Sequence, residues 1–250
     1  MTTLATLETS GRIATLTINR PESRNALSID LLHALHACAD DLAARTDISV
    51  LIFTGAGKSF CAGMDLKAVL GDEKAPGILL NSLAEFCVKL RTLPMVVVGR
   101  INGAAIGGGC GLACVCDLAI THADSKMGFP EVDLGVCPAV VAPWLVRRVG
   151  PGKARQILLS GGLMSGQDAF NFGMVSHIVP AASDLDAAVT EITTRLATGG
   201  PAALRATKDL LNTLDDSANL AQARKGAELS AKVLALPEAR AMLEAKFTQR

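Results

Sequence analysis

Apolar residues recur along the chain with two different periods, and the switches between them divide it into elements. Residues 3–8 and 12–18 alternate apolar and polar side chains, which predicts two strands turned at Ser10-Gly11. Arg20-Pro21-Glu22 breaks the second strand. Ser28 then precedes a stretch in which Leu31, Leu35, Cys38 and Leu42 share one stripe, the pattern of an N-capped amphipathic helix. His33 and His36 fall off that stripe or at its edge and read as solvated. Residues 49–54 are a short β-branched run ended by Gly55, so a buried strand is expected, followed by a loop from Gly55 to Gly63 and a helical region near 77–92. Residues 95–101 repeat the buried-strand pattern, and Asn102-Gly103 ends it. Residues 110–116 read as a helix and 117–121 as a strand. From about Ser183 the pattern is helical, with breaks near Gly199-Gly200-Pro201 and Pro237. Alternation early and helices alone later predict an α/β body, residues 1–195, and a C-terminal helical region, 196–250.

Composition narrows the function. The chain has 250 residues, half of them hydrophobic, with 24 Lys+Arg against 24 Asp+Glu. A net charge of zero removes the electrostatic footprint of a nucleic-acid binder. The seven cysteines are odd in number and form no CxxC pair. They read as buried free thiols of a reducing cytoplasm rather than a disulfide frame or a zinc site. No charged-then-apolar leader and no apolar run of membrane-spanning length is present, so a cytoplasmic protein with no membrane partner is expected.

Two familiar motifs fail on inspection. Gly55-Ala56-Gly57-Lys58-Ser59 follows a strand like a P-loop, but the glycine required five positions before Gly57 is Ile52, inside that strand. A dinucleotide fingerprint fails where its last glycine would be Phe60. No GxSxG elbow accompanies the four histidines, and His122 and His177 sit in strand-like contexts.

What remains is a pair of segments, residues 60–66 (FCAGMDL) and 102–112 (NGAAIGGGCGL), that place small residues where a strand-derived loop enters a helix. Glycine and alanine leave backbone N–H groups open, and the helix after Gly108 adds its N-terminal partial positive charge. Two such amides about 3 Å from a carbonyl oxygen would stabilise an enolate. An acid or base is then needed. Glu131, in Phe129-Pro130-Glu131-Val132, is a carboxylate amid apolar residues that should raise its pKa toward neutrality. Asp133 reads as an ordinary solvated turn carboxylate.

Together with Arg20-Pro21-Glu22-Ser23-Arg24-Asn25-Ala26-Leu27, Arg148-Val149-Gly150 and residues 169–179, these segments resemble the crotonase family, also called enoyl-CoA hydratase/isomerase, over most of the chain. The resemblance implies a crotonase-type spiral of ββα turns with a C-terminal helical trimerisation region, assembled as a homotrimer or dimer of trimers. It implies that Met64 and Gly108 donate the oxyanion-hole N–H groups. It also implies that Arg24, Ala26, Ala62, Asp65, Leu66 and Gly111 line the path of an acyl-CoA thioester. Coenzyme A is then part of the substrate, no separate cofactor or metal is implied, and Lys246 or Phe247 could approach it. The familiar hydratases carry two glutamates, and this chain has Gly111 at the first position and Glu131 at the second. Residues 131–144 resemble the matching stretch of bacterial methylglutaconyl-CoA hydratase-like members, which share that glycine. Hydration of a 2-enoyl-CoA is therefore favoured. A Δ3,Δ2-enoyl-CoA isomerase using Glu131 alone and a non-enzymatic acyl-CoA binder stand as rivals. The acyl pocket is expected between residues 67–90 and 136–145, with Trp144 packing a helix rather than walling the pocket.

Overall fold

The computed structural model describes residues 3–65 and 74–248, with side chains to residue 245. Strands β1 (Ala5–Ser10) and β2 (Ile13–Ile18) form the expected hairpin, and β2 pairs in parallel with β3 (Val50–Gly55). Strands β5 (Val96–Ile101), β7 (Leu118–His122) and β10 (His177–Val179) complete a six-stranded sheet in the order β1-β2-β3-β5-β7-β10. A second sheet, β4-β6-β8-β9, is built from three-residue strands: β4 (Ser59–Cys61), β6 (Ala104–Ile106), β8 (Lys126–Gly128) and β9 (Leu163–Ser165). The pairs β3/β4, β5/β6 and β7/β8 each give one strand to the large sheet and the next to the small one. Successive turns therefore stack as a spiral, the architecture the resemblance implied. The stretch 55–63, read from sequence as a plain loop, contains β4.

Helix α1 (Ile29–Ala43) starts where Ser28 accepts a hydrogen bond from the Leu31 N–H at 3.2 Å, and it buries Leu31, Leu32, Leu35, Ala39 and Leu42. Helix α2 (Ala75–Thr92) packs beside it. That packing corrects the reading of His36, which is half-buried against Phe86, with Nε2 3.0 Å from the Ser82 carbonyl oxygen; His33 is exposed as expected. Desolvation lowers the His36 pKa. Phe53 meets Phe60 and Phe86 edge to face in the core, at ring-centroid distances of 5.5 and 6.2 Å.

Helix α3 (Gly108–Val115) begins two residues before the apolar pattern suggested, because its first turn is glycine. Helix α4 (Ala142–Ser160) is kinked at Gly150-Pro151, and the capped helix α5 (Gly166–Phe172) follows β9. The C-terminal part comprises α6 (Leu185–Ala197), α7 (Pro201–Leu214), α8 (Leu220–Leu234) and α9 (Pro237–Thr248), broken where Gly200-Pro201 and Pro237 require. Helix α8 lies along α2. All seven cysteines are free thiols; five are fully buried, whereas Cys38 and Cys137 are partly exposed. Among the described residues, no helix is long and apolar enough to cross a membrane.

Candidate active site

The chain before α1 forms an extended segment that pairs with the residues after β4. The Ala62 N–H donates to Arg24 O at 3.0 Å, the Leu27 N–H to Gly63 O at 2.7 Å, and the Asp65 N–H to Leu27 O at 2.9 Å. This is a parallel bridge centred on Leu27 and Met64. In that pattern the residues flanking Met64 bond to Leu27, so the Met64 N–H points the other way. Its direction is a consequence of register.

Asn25 fastens the segment. Wholly buried at φ 59, it accepts from the Arg20 N–H at 2.8 Å and donates to Ala56 O and Ser59 O at 2.9 and 2.7 Å. A short polar side chain suits this left-handed backbone. Arg20 ties the two segments, donating to Ala26 O at 2.6 Å and lying 3.3 Å from Asp65. Arg24, Ala26, Ala62 and Asp65 are thus gathered in one place. Neither Asn25 nor Arg20 was singled out from sequence, since both act through contacts with segments remote along the chain. Leu66 lies outside the described residues, as do the side chains of Lys246 and Phe247.

The N-terminus of α3 abuts this bridge. A Cβ at Gly109 would overlap the Cys61 carbonyl, so only glycine lets the strand and the helix start approach so closely. The first i→i−4 bond of α3 runs from the Gly111 N–H to Gly107 O, at 2.9 Å. The Gly108 N–H is one of the first-turn donors an α-helix leaves without an internal partner, and the helix dipole adds to its positive character.

Glu131 stands opposite. It opens a one-turn helix, Val132–Leu134, and its carbonyl accepts from Leu134 and Val136, which fixes the loop. Its side chain lies against Gly107: a Cβ there would sit 2.9 Å from Oε1, on a backbone already at φ 54. Oε2 is buried with no hydrogen-bond partner among the described residues. Burial pushes this carboxyl up to about 7, and the nearby Asp133 adds to the effect. Asp133 itself is exposed and accepts from the Gly162 N–H at 2.7 Å, a loop tie.

Met64, Gly108 and Glu131 face one small cavity, of about 20 Å³, walled by Leu80, Leu83, Val136, Val140 and Val141. The wall comes from the segments expected; residues 66–73 lie outside the described part. Gly111 does not line the cavity, because Val141 covers it and a Cβ at 111 would overlap the valine side chain. Trp144 packs in the core with the Arg147 guanidinium 5.1 Å from its ring centroid, away from this cavity. A larger cavity of about 950 Å³, lined from α1, α2, α8 and α9, contains none of the three central groups. Its Asp40–Lys89 pair is closed at 2.6 Å, and among the described residues no buried side-chain atom lining it lacks a hydrogen-bond partner.

A model of the enoyl-CoA hydratase/isomerase family matches residues 8–241. The chain belongs to that family. Its enzyme relatives include the 2,3-dehydroadipyl-CoA hydratase of Escherichia coli, 33% identical over 218 residues, covering 86% of this chain and 85% of the relative. The short-chain-enoyl-CoA hydratase of Clostridium acetobutylicum is 32% identical, covering 82% and 80%. The crystal structure of an enoyl-CoA hydratase from Bacillus halodurans superposes with a TM-score of 0.90 over 97% of this chain and 99% of that one; at 24% identity it speaks for the fold. In this member of the family, one glycine-rich helix start, one strand amide turned away from its neighbouring segment and one buried glutamate converge on a single cavity.

Proposed function

We propose that this enzyme adds water across the double bond of a 2-enoyl-CoA thioester. The thioester oxygen accepts from the Met64 and Gly108 N–H groups. Ionised Glu131 takes a proton from water as the hydroxyl adds at C3. The electron pair moves through C2 onto the thioester oxygen, and the two amides hold the resulting enolate. Glu131 then returns the proton at C2, which balances the addition. The residues around Arg24, Ala26, Ala62 and Asp65 form the path of the coenzyme A moiety.

The observation that carries this reading is the Glu131 carboxyl, buried and raised to about 7, in the same cavity as the two backbone donors. A group near neutrality can both take and give a proton. Replacing Glu131 with Gln should abolish hydration of crotonyl-CoA while acyl-CoA binding stays nearly intact. Retained turnover would refute the assignment.

The covered Gly111 supports a second reading, in which Glu131 alone shuttles a proton between C2 and C4 of a 3-enoyl-CoA. Mass spectrometry separates the two, because hydration adds one water and isomerisation adds nothing. For assembly, the homotrimer or dimer of trimers remains the proposal of the family resemblance; the exposed Leu210, Leu211 and Leu214 on α7 support self-association through an apolar surface.

A further inference from the structure

The cavity facing Glu131 is far smaller than a general ligand pocket. Its roughly 20 Å³ is room for about one water molecule, against ~300 Å³ or more for a drug-sized ligand. Val141 forms one of its walls, on the side of Gly111. The valine sits over Gly111, in the space a side chain there would occupy.

The wall is also held from behind. The Ser230 hydroxyl on α8 donates to Cys137 O at 2.7 Å and accepts from the Ala139 N–H at 3.1 Å. Gly226, one turn earlier, lets α8 press on the Ala139 carbonyl, which a Cβ would approach to 2.5 Å. Residues 137–141 are therefore braced against retreat. Among the described residues lining the cavity, Glu131 is the sole charged group and no cation is present.

We infer that Val141 is a specificity-determining residue that restricts the acyl group to a short, apolar one. This rests on the site proposed above for acyl-CoA. A longer chain meets the valine and a braced backbone behind it. An acyl group ending in a carboxylate meets apolar side chains and the Glu131 carboxyl, with no cation for its charge among the described residues lining the cavity. Trimming Val141 to Ala opens the space above Gly111.

Isothermal titration with saturated butyryl-, hexanoyl-, octanoyl- and succinyl-CoA tests this without requiring turnover. For the native protein, affinity should fall at least about tenfold from butyryl- to octanoyl-CoA, since a single unaccommodated methylene can cost roughly 10–200-fold. Succinyl-CoA should bind more weakly than butyryl-CoA. Val141→Ala should bring octanoyl-CoA to within about threefold of butyryl-CoA, and Val141→Leu should weaken even butyryl-CoA. Equal affinity of the native protein for butyryl- and octanoyl-CoA would overturn the inference, as would a length profile unchanged in both variants. Crotonyl-CoA hydration, followed on the same preparations, reports separately on the reaction: discrimination by length without hydration removes the proposed chemistry and leaves the role of Val141 standing.

Discussion

Replacing Glu131 with Gln should make the protein more stable, and only at the alkaline end of its range. The substitution keeps the shape of the side chain and removes its charge. In the native fold, burial raises this carboxyl from its ordinary 4.5 to about 7. Between those two pH values the folded chain holds a proton that the unfolded chain has released. Stability therefore falls as pH rises through that window: the favourable contribution is complete below 4.5 and gone above about 7. At about 1.4 kcal/mol per pH unit, the full swing is about 3 kcal/mol. Glutamine has no such dependence.

Urea unfolding of both proteins near pH 5 and near pH 8, at one fixed protein concentration, isolates the effect. Every other titrating group, His36 included, is common to the two and cancels. The advantage of Glu131→Gln over the native protein should grow by about 2–3 kcal/mol from the acidic to the alkaline condition. Parallel pH profiles for the two proteins would show that Glu131 is not held protonated by burial, and the reasoning would fail. A growing advantage of the native protein toward high pH would mean that the carboxylate has a partner.

The remaining expectations concern the supports of the site. Gly107→Ala places a Cβ 2.9 Å from the Glu131 Oε1 at a φ of 54, so turnover of the preferred substrate should fall at least about tenfold, and denaturant unfolding should show a loss of about 1–2 kcal/mol. Lys208 of α7 is buried, 2.8 Å from both Asp117 and Met95 O; Lys208→Ala should cost about 3 kcal/mol in urea unfolding, and a neutral result would remove this cluster as an anchor of α7. Leu211→Glu with Leu214→Glu should convert the assembly to single chains by light scattering if α7 is its contact surface; an unchanged mass would exclude that surface.

The long elements and the main chemical groups were legible in the sequence because each is written locally. Ser28 and the Leu31/Leu35/Leu42 stripe specify α1 within one stretch, and the glycines at 107–109 mark a helix start whatever lies around them. Glu131 stood out because Phe129 and Val132 flank it. The second sheet was not legible: strands of three residues span too little of the two-residue period to register, so β4 read as loop. Contacts between distant segments were equally silent. Nothing in Arg20 announces Asp65, and nothing in Gly111 announces Val141, thirty residues on. His36 was misjudged for the same reason, since its burial comes from α2 rather than from the face of its own helix.

The pairing of Gly111 with Val141 changes what a single glutamate means here. In the sequence, glycine at 111 stands where the familiar hydratases carry their first glutamate. In the structure the space a side chain there would occupy is filled by a valine side chain, so the surroundings of Glu131 are apolar on that side. A second ionised carboxylate in the cavity would raise the Glu131 pKa by repulsion; an apolar wall raises it by desolvation, and desolvation is the largest contribution here. The two routes reach a similar pKa but differ in consequence. Repulsion between two acids favours sharing one proton and dividing the roles. Desolvation around one acid leaves it alone near half-ionisation at neutral pH, where on the proposed reaction it must take the proton of water and return it to C2 itself. The same valine thus bears on both proposals, as the residue proposed to limit the acyl group and as part of the apolar wall that buries the single carboxyl.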